Sequence, residues 1–519
     1  MNQSPLSKPN KANSPHLKMR ILIIQGSARW PSHLETELEI AETHLAAGDQ
    51  VEFLGCDACV PVCYGNPEGV PLACDECRAT SATGIALLSK KCLQHKLSDY
   101  ITESTLDTEM DKISPIIDVE TAKKFTLNGH ELGWGAYSST ITATRDYLCE
   151  SKHAHRKLKL FASTAYRTYS GTKNFLSRQA GYDHVYIFNG RFAATRGALR
   201  ACEECDSVGN IQIHERGSSK DRYEIFGPNM PHHRETRRRM MEEAWDQAEA
   251  SVREEEGSNF FEARRLGTPT DWKSFISHQE SGHLPPQLDQ EKINVAIFNS
   301  SEDEYAGIGK EWQNTLHASQ FDGISRITTD ALERYPEMHF FLRIHPNLIG
   351  VNHSDIRQTR QISSPNLTVI PGDAKTSTYD LVEAVDKVIT FGSTVGIEAT
   401  YWGTPSIAAR HSLYENIDAA YFPASHAELL NLLGEELDPK PRMNALKYGY
   451  YFKTFGKEFK YYSAESLTSG KFRDVNLRGR SKLETIVIKA LSKLGRGEYR
   501  FRTAMARLRR RRAEAKLKH

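Results

Sequence analysis

Residues 387–407, which read KVITFGSTVGIEATYWGTPSI, carry the strongest fold signal in the chain. The apolar run at 388–391 has the length of a buried strand. The small residues at 392–394 turn the chain and offer hydroxyl caps to a helix that runs to about Trp402. Gly-Thr-Pro at 403–405 ends this helix, and another apolar strand follows. This strand–helix–strand unit predicts a doubly wound α/β sheet, in which ligands lie at the carboxyl ends of the strands.

The predicted helix start is suited to an anion. Its first backbone N–H groups are free and its dipole is positive there, so Gly392, Ser393 and Thr394 are predicted to bind a phosphate. Glu398 lies one turn later, past the position that a capping box would use. It is therefore a candidate to accept hydrogen bonds from a sugar hydroxyl. The alternative is a glutamate on a solvated helix face.

Several short motifs resemble GT-B glycosyltransferases, and most closely the group that builds capsular polysaccharide and related surface glycans. STVGIEA at 393–399, followed by GTP at 403–405, resembles the donor-site signature of that group. RIHPN at 343–347 resembles its HP motif, and GRF at 190–192 and HERG at 214–217 resemble motifs of its amino-terminal half. The likeness spans roughly residues 20–462.

The resemblance implies two Rossmann-like domains that face a cleft, with a nucleotide-sugar donor in the carboxyl-terminal one. It implies that His345 holds the donor phosphate, and CMP- and UDP-linked sugars both fit. Arg410 follows the strand after the donor helix, so it is expected to border the same cleft. We expect no catalytic metal, because the helix start and His345 supply the positive field and we find no DxD-type acidic pair after an apolar strand.

The length of the chain and its Gly/Pro-containing breaks predict two domains, since 519 residues are more than a single hydrophobic core usually holds. We predict helices at 82–95 and 138–153, with a flexible aromatic loop at 133–139 that faces a sugar or forms a packed corner. The predicted divisions are a disordered leader (1–18), an amino-terminal Rossmann-like acceptor domain (19–280), a linker (281–291), a carboxyl-terminal Rossmann-like nucleotide-sugar domain (292–490) and a basic helical tail (491–519).

Charge is concentrated at the carboxyl terminus. The chain has a net charge of +1, but residues 496–519 alone carry +8 and the remainder carries −7. Such a tail fits an anionic membrane surface, RNA or an acidic polymer, or else serves solubility. The near-neutral total argues against nucleic acid as a partner. We find neither an apolar run of roughly 18 residues nor a secretory leader, which predicts a cytoplasmic protein, peripheral at the membrane if the tail binds there.

Five of the nine cysteines fall within 22 residues, as C-x2-C-x3-C-x10-C-x2-C. In a cytosolic chain this spacing favours thiolate–metal binding over disulfides. Two CxxC pairs, Cys56 with Cys59 and Cys74 with Cys77, predict a structural zinc site within the loop at 56–77. The fifth cysteine, Cys63, leaves open that some are small buried apolar residues.

The amino-terminal half supplies acceptor-side candidates at predicted strand ends. Ser27 follows the first strand, Arg191 follows HVYIF at 184–188, and Glu215 with Arg216 follows the next strand. The arginines can bind anionic groups bidentately, and Glu215 is the candidate base toward an acceptor hydroxyl. The alternative is a Glu–Arg pair that braces the loop.

Three functions compete at this point. The first is a glycosyltransferase that extends a surface polysaccharide or glycolipid. The second keeps the fold but changes the chemistry: a sugar-nucleotide 2-epimerase, which needs carboxylates and histidine around the sugar and no acceptor. The third is a non-catalytic adaptor in polysaccharide assembly.

Overall fold

The computed structural model describes residues 18–30, 32–268 and 276–478. The predicted tail at 491–519 and the predicted leader, apart from Lys18, lie outside these ranges. The helices and strands of the first half are β1 (Arg20–Ile24), α1 (His33–Ala47), β2 (Gln50–Gly55), α2 (Pro71–Ile85), β3 (Leu93–Lys96), α3 (Glu103–Ile113), α4 (Val119–Lys123), β4 (Thr126–Leu127), β5 (His130–Glu131), α5 (Gly133–Thr144), α6 (Lys152–Leu176), β6 (Tyr182–Phe188), α7 (Ala193–Glu204), β7 (Val208–Arg216), β8 (Arg222–Ile225), α8 (Arg234–Gln247) and α9 (Ala250–Arg265).

The second half contains β9 (Ile293–Phe298), α10 (Gln320–Arg334), β10 (Met338–Arg343), α11 (Ser354–Arg360), β11 (Leu367–Ile370), α12 (Thr378–Ala384), β12 (Lys387–Thr390), α13 (Val395–Trp402), β13 (Ser406–Ala408), α14 (His426–Gly434), α15 (Arg442–Thr454), β14 (Lys457–Glu458), β15 (Tyr462–Ser466) and β16 (Ser469–Phe472). Among the described residues, no helix is long and apolar enough to span a bilayer.

The first sheet has the order β14-β8-β7-β6-β1-β2-β3. Strand β1 pairs in parallel with β2 on one side and β6 on the other, so the chain changes direction across the sheet between β1 and β6. Its side chains alternate between two cores: Ile21 and Ile23 face one, and Leu22 and Ile24 face the other. The sheet is therefore covered on both faces, as a doubly wound sheet requires.

The second sheet repeats this plan with the order β11-β10-β9-β12-β13, and all its strands are parallel. The change of direction lies between β9 and β12. Val295 and Ile297 face one core, and Ala296 and Phe298 face the opposite one. The prediction of two doubly wound, Rossmann-like sheets is confirmed.

The two halves exchange segments, which the sequence boundaries did not anticipate. Helix α15 packs against α8 and α9, so helices of the first half share a core with α13 of the second. Conversely, β14 pairs with β8 of the first sheet, and Tyr462, Phe472 and Leu477 join the first-domain core. Residues 457–478 thus lie on the first domain, although we expected the second to continue to residue 490.

Three local predictions are wrong. The predicted helix at 138–153 is divided, because α5 ends at Thr144 and α6 begins at Lys152. Helix α2 ends at Ile85 and Leu93–Lys96 forms β3, so 82–95 is not one helix. The expected flexible loop at 133–139 is the buried first half of α5. Its glycines permit close packing rather than motion: a Cβ on Gly133 would meet the Ala122 carbonyl oxygen at 1.6 Å.

Candidate functional site

The carboxyl ends of β9, β10, β12 and β13, which we call the second-domain edge, carry most of the predicted donor residues. Asn299 follows β9, His345 follows β10, Gly392–Thr394 (392–394) follows β12 and Arg410 follows β13. Because these strands are parallel neighbours, their ends meet at one edge of the sheet. The sequence therefore identified residues that the fold brings together.

A segment of the second domain covers part of this edge. Residues 301–312, which we call the cover loop, place the Tyr305 hydroxyl 2.6 Å from the Gly392 carbonyl oxygen, to which it donates. Gly392 adopts φ 84°, a left-handed conformation that glycine allows without strain. Ser393 is only 8% exposed and its Oγ accepts from the Val395 amide at 3.3 Å. Thr394 and Val395 are half-buried, so they form the accessible part of the α13 start.

Glu398 is a buried carboxylate with three protein partners. Its side chain is 3% exposed and its Oε1 accepts from Arg264 Nε at 3.0 Å and Thr394 Oγ1 at 2.8 Å. The Tyr379 hydroxyl donates to Oε2 at 2.7 Å. The nearby carboxylate of Glu398 holds the pKa of Arg264 above its usual range despite burial. Arg264 lies on α9, 134 residues earlier, and no local sequence pattern predicts this pairing.

His345 is oriented by two neighbours. Its backbone amide donates to Asn299 Oδ1 at 2.8 Å, and its Nδ1 accepts from the Asn347 amide at 3.1 Å. A ring that accepts at Nδ1 carries its proton on Nε2, which makes Nε2 a hydrogen-bond donor. This tautomer suits contact with an anionic oxygen.

Arg410 holds the cover loop. It is 4% exposed, its Nη1 lies 2.5 Å from Glu302 Oε1, and its Nη2 donates to the Trp312 carbonyl oxygen at 3.1 Å. The guanidinium also sits 5.2 Å from the centre of the Tyr305 ring. Arg410 thus lies beneath the cover loop, next to the residues predicted to bind the donor.

Charged groups from both domains meet across the cleft. Arg191 follows β6, and the carboxylates that act on its charge are Glu215 of the first domain and Glu304 of the cover loop. Burial lowers the pKa of Arg191, and its Nε is a buried atom with no hydrogen-bond partner. Asn347 Nδ2 donates to Glu304 at 3.0 Å, which links this group to the segment that carries His345.

The two carboxylates are held differently. Glu215 accepts from Asn189 Nδ2 at 2.5 Å and from the Arg216 amide at 2.9 Å. Glu304 is exposed at the cleft, where partial desolvation and then the Asp303 carboxylate raise its pKa. The sequence suggested Glu215 but left Glu304 as one residue of an acidic loop. The signal for Glu304 was its place in the loop that follows β9, at the change of direction of the sheet.

Ser27 and Arg216 lie on the first-domain edge, by which we mean the carboxyl ends of β1, β2, β6 and β7. Ser27 is buried, its amide donates to the Tyr64 hydroxyl at 2.7 Å, and its Oγ lies 3.9 Å from Cys77 Sγ. It therefore faces the cysteine-rich segment. Arg216 ends β7, and its positive charge acts on His33. The His33 ring is half-buried and stacks on the Phe188 ring, with the two ring centroids 3.8 Å apart.

The predicted zinc site is not confirmed. In the part of the chain that the structure describes, no three Cys, His, Asp or Glu side chains are close enough to hold one metal ion. Cys56 and Cys59 contact each other through their sulfurs, Cys74 accepts from Asn66, and Cys77 accepts from Ala28. The four predicted ligands therefore do not surround a common point.

No family model and no curated protein matches the chain. Solved structures with similar architecture include a KpsC beta Kdo 2,4 transferase from Thermosulfurimonas dismutans, with a TM-score of 0.35, 12% identity, and coverage of 52% of this chain and 81% of that one. A second is a UDP-GlcNAc 2-epimerase from Neisseria meningitidis bound to UDP-GlcNAc, with a TM-score of 0.26, 10% identity, and coverage of 92% of this chain and 100% of that one. A third is the glycosyltransferase SnogD from Streptomyces nogalater, with a TM-score of 0.23, 12% identity, and coverage of 84% of this chain and 95% of that one. At these values the likeness assigns no activity to this chain.

Proposed function

We propose that the chain is a glycosyltransferase that moves a sugar from a nucleotide-sugar donor to a growing capsular or other surface polysaccharide or glycolipid. The observation that carries this proposal is the meeting of Arg191 and Glu215 from the first domain with Glu304 and Asn347 from the second. A sugar between two sheet edges needs an anion site on one side and an acid–base group on the other, and this cleft offers both residue types.

The donor nucleotide, CMP- or UDP-linked, binds the second-domain edge in this proposal. Glycosyl transfer develops negative charge on the departing phosphate, so preorganised donors aimed at that phosphate lower the barrier. His345 Nε2 and the first amides of α13 are those donors, and the helix dipole adds to them. The Thr394 hydroxyl, which donates to Glu398 in this structure, joins them when a ribose hydroxyl takes its place at that carboxylate. Glu398 contributes to ribose binding by exchanging one of its present protein partners for a hydroxyl.

The acceptor binds from the first domain in this proposal. Glu215 takes the proton of the attacking hydroxyl, since a carboxylate fixed by two hydrogen bonds still has lone pairs for a third. Arg191 and Arg216 hold anionic groups of the acceptor. The reaction takes place at the cytoplasmic face, with the basic tail at an anionic membrane surface.

Donor binding requires the cover loop to move, because Tyr305 lies over Gly392. Tyr305 also stacks on Trp312, with ring centroids 5.7 Å apart. A ligand that binds only the open arrangement shifts the equilibrium by its difference in affinity between the two arrangements.

A sugar-nucleotide 2-epimerase is the second candidate. The specific observation in its favour is that carboxylates from both domains, Glu215 and Glu304, flank one cleft that also contains His345. An epimerase acts on the free nucleotide-sugar, so product formation without any acceptor distinguishes it from a transferase.

A thermal-shift panel with CMP, UDP, GDP and dTDP tests the proposal. A nucleotide that binds only the folded chain at 100 times its Kd adds about 2.7 kcal/mol to the free energy of unfolding. We expect one nucleotide to stabilise the wild type and His345→Ala to abolish that shift. His339→Ala is the matched control, because His339 lies near the opposite end of the same strand, bonded to Thr368 at 2.9 Å. No shift with any nucleotide, or equal shifts in both variants, would contradict the proposal.

A further inference from the structure

The first-domain edge contains a cavity whose wall includes four cysteines. It lies at the carboxyl ends of β1 and β2 and has a volume of about 70 Å³. A single water needs roughly 10–15 Å³ on a comparable measure, so the space exceeds one or two solvent molecules. Most of the wall is apolar, with Leu54, Val60, Val62 and Leu97 among its side chains. The cysteines in the wall are Cys56, Cys63, Cys74 and Cys77.

The four sulfurs are too widely spaced for a single ion. A tetrahedral zinc brings all its ligands to one atom, and no three metal-ligating side chains in the described residues are that close. In a four-iron cubane each thiolate binds a different iron, so the ligating sulfurs stand farther apart around a larger volume. Four cysteines in the wall of one cavity fit that second arrangement.

Cys59 has a different position from the other four. It does not line the cavity, although it packs against the same apolar core as the wall residues Leu54 and Leu97. Its sulfur contacts that of Cys56. The structure thus separates four wall cysteines from the fifth, and replaces Cys59 with Cys63 in the set that spacing alone suggested.

Each wall sulfur faces N–H donors. The Ala28 amide donates to Cys77 Sγ at 3.3 Å, and Asn66 Nδ2 donates to Cys74 Sγ at 3.2 Å. The Cys56 sulfur accepts from the backbone amides of Ala58 and Cys59. The Cys63 sulfur accepts from the backbone amides of Gly65 and Asn66. N–H groups directed at sulfur stabilise thiolates and are a recurring environment of iron–sulfur ligands.

We propose that Cys56, Cys63, Cys74 and Cys77 ligate a [4Fe–4S] cluster in this cavity. Thiolate ligands select iron–sulfur clusters, zinc and Cu(I), and the spacing of the sulfurs decides among these. The cluster arrives assembled on the thiolates of a donor; at each iron one donor thiolate leaves as the cysteine thiolate of this chain binds, the departing thiolate takes up the proton that the cysteine thiol releases, and no electron is transferred. Its role is structural: it fastens the turn-rich segment at 56–70 and helix α2 to the end of β1.

This cluster supports the first-domain edge without taking part in sugar chemistry. Cys77 contacts Ser27 and Ala28 directly after β1, so ligation at Cys77 fixes the loop that follows the central strand. The proposal does not depend on the proposed transferase activity.

Metal and sulfide analysis of the full chain, expressed and purified without oxygen, tests the cluster. We expect about four iron and four acid-labile sulfide per chain, together with visible thiolate-to-iron charge-transfer absorption. One zinc per chain without sulfide, or metal-free folded protein, would overturn the proposal. This measurement needs no variant, so a folding defect cannot obscure it.

Two substitutions then test the ligand set. Cys63→Ser should lower iron and sulfide at least several-fold, because the wall loses one of four ligands. Cys59→Ser, the matched control in the same segment, should retain both, because Cys59 does not line the cavity. Circular dichroism checks that each variant is folded. The reverse pattern, with iron retained in Cys63→Ser and lost in Cys59→Ser, would contradict the assignment.

Discussion

Two buried glutamates, one at each sheet edge, are stabilised in opposite ways. Glu37 lies on α1, which follows β1, and its Oε1 accepts from the Gly26 amide at 2.9 Å. Burial raises the pKa of Glu37 to about 8, and the nearby Glu35 carboxylate adds to that rise. Glu398 lies on α13, which follows β12, and is paired with the Arg264 guanidinium.

The difference shows how each edge handles charge. The first-domain edge contains a carboxyl group whose partners are uncharged, beside a mostly apolar cavity lined with thiols. The second-domain edge compensates its carboxylate with a cation from a helix of the first half of the chain. The exchange of segments between the halves therefore supplies a compensating positive charge: α9 carries Arg264 to the helix that we propose binds the donor.

The largest expected effect comes from removing the compensated carboxylate. Glu398→Ala should lower the free energy of unfolding by about 3 kcal/mol, because it leaves Arg264, Thr394 and Tyr379 without their common partner. Arg264 is 33% exposed, so solvent reduces the penalty below that of a fully buried pair. Urea unfolding at pH 7 measures it.

The arginine next to Arg264 forms a second ion pair, which provides a matched control. Arg265 pairs with Glu383 at 2.6 Å, and the Glu383 side chain is 40% exposed. Glu383→Ala should cost about 0.5 kcal/mol or less. Equal losses in the two variants would show that burial does not distinguish the pairs.

The second prediction concerns Glu37 and pH. Its folded pKa of about 8 exceeds the reference value of 4.5, so the folded chain binds this proton more tightly than the unfolded chain. The stabilisation is complete below pH 4.5 and is lost as pH rises toward 8. From pH 5 to pH 7 the wild type should lose roughly 2.5 kcal/mol more than Glu37→Gln, which has no proton to release. Parallel pH dependences of the two proteins would refute a neutral Glu37.

Much of the fold was predictable because its signals are local. The stretch at 387–407 folds as expected into β12, α13 and β13, and Gly403 ends the helix in a left-handed conformation with φ 88°. Chain-local signals cannot report partners distant in sequence. The Glu398–Arg264 pair and the arginine contacts of the cover loop join segments about 100 residues or more apart.

The misread residues have the same explanation. Glycine at 133 and 135 indicates either a flexible loop or a close helix contact, and only the neighbouring Ala122 and Arg196 decide between them. Likewise, cysteine spacing identifies a cluster but not which sulfurs share a volume. The edge residues were found because parallel strands place their carboxyl ends together, whatever surrounds them.

A third, smaller effect tests the cover loop. Tyr305→Phe removes the hydrogen bond to Gly392 and should cost about 1 kcal/mol of stability. If a nucleotide must displace that bond, its affinity should rise up to about five-fold, the equivalent of 1 kcal/mol. Isothermal titration calorimetry measures the affinity. Tyr335→Phe is the control, because that hydroxyl donates to the Leu430 carbonyl oxygen at 3.1 Å within the core of the same domain. A gain in both variants, or in neither, would show that Tyr305 does not restrict the site.

The smallest effect should come from the ion pair between the domains. Arg145 Nε lies 2.8 Å from Asp303 of the cover loop, but the arginine side chain is 43% exposed. Arg145→Gln should change stability by about 0.5 kcal/mol or less, and added salt should shrink the difference. A loss of several kcal/mol in urea unfolding would mean that this contact, rather than the buried Glu398 pair, joins the halves.

The most direct test of the central claim is a crystal structure with the nucleotide that gives the largest thermal shift. We predict its phosphates within hydrogen-bonding distance of His345 and of the first amides of α13, with Tyr305 displaced from Gly392. Phosphates bound instead at the first-domain edge, or a nucleotide that leaves His345 and Thr394 untouched, would contradict the assignment of the second-domain edge as the donor site.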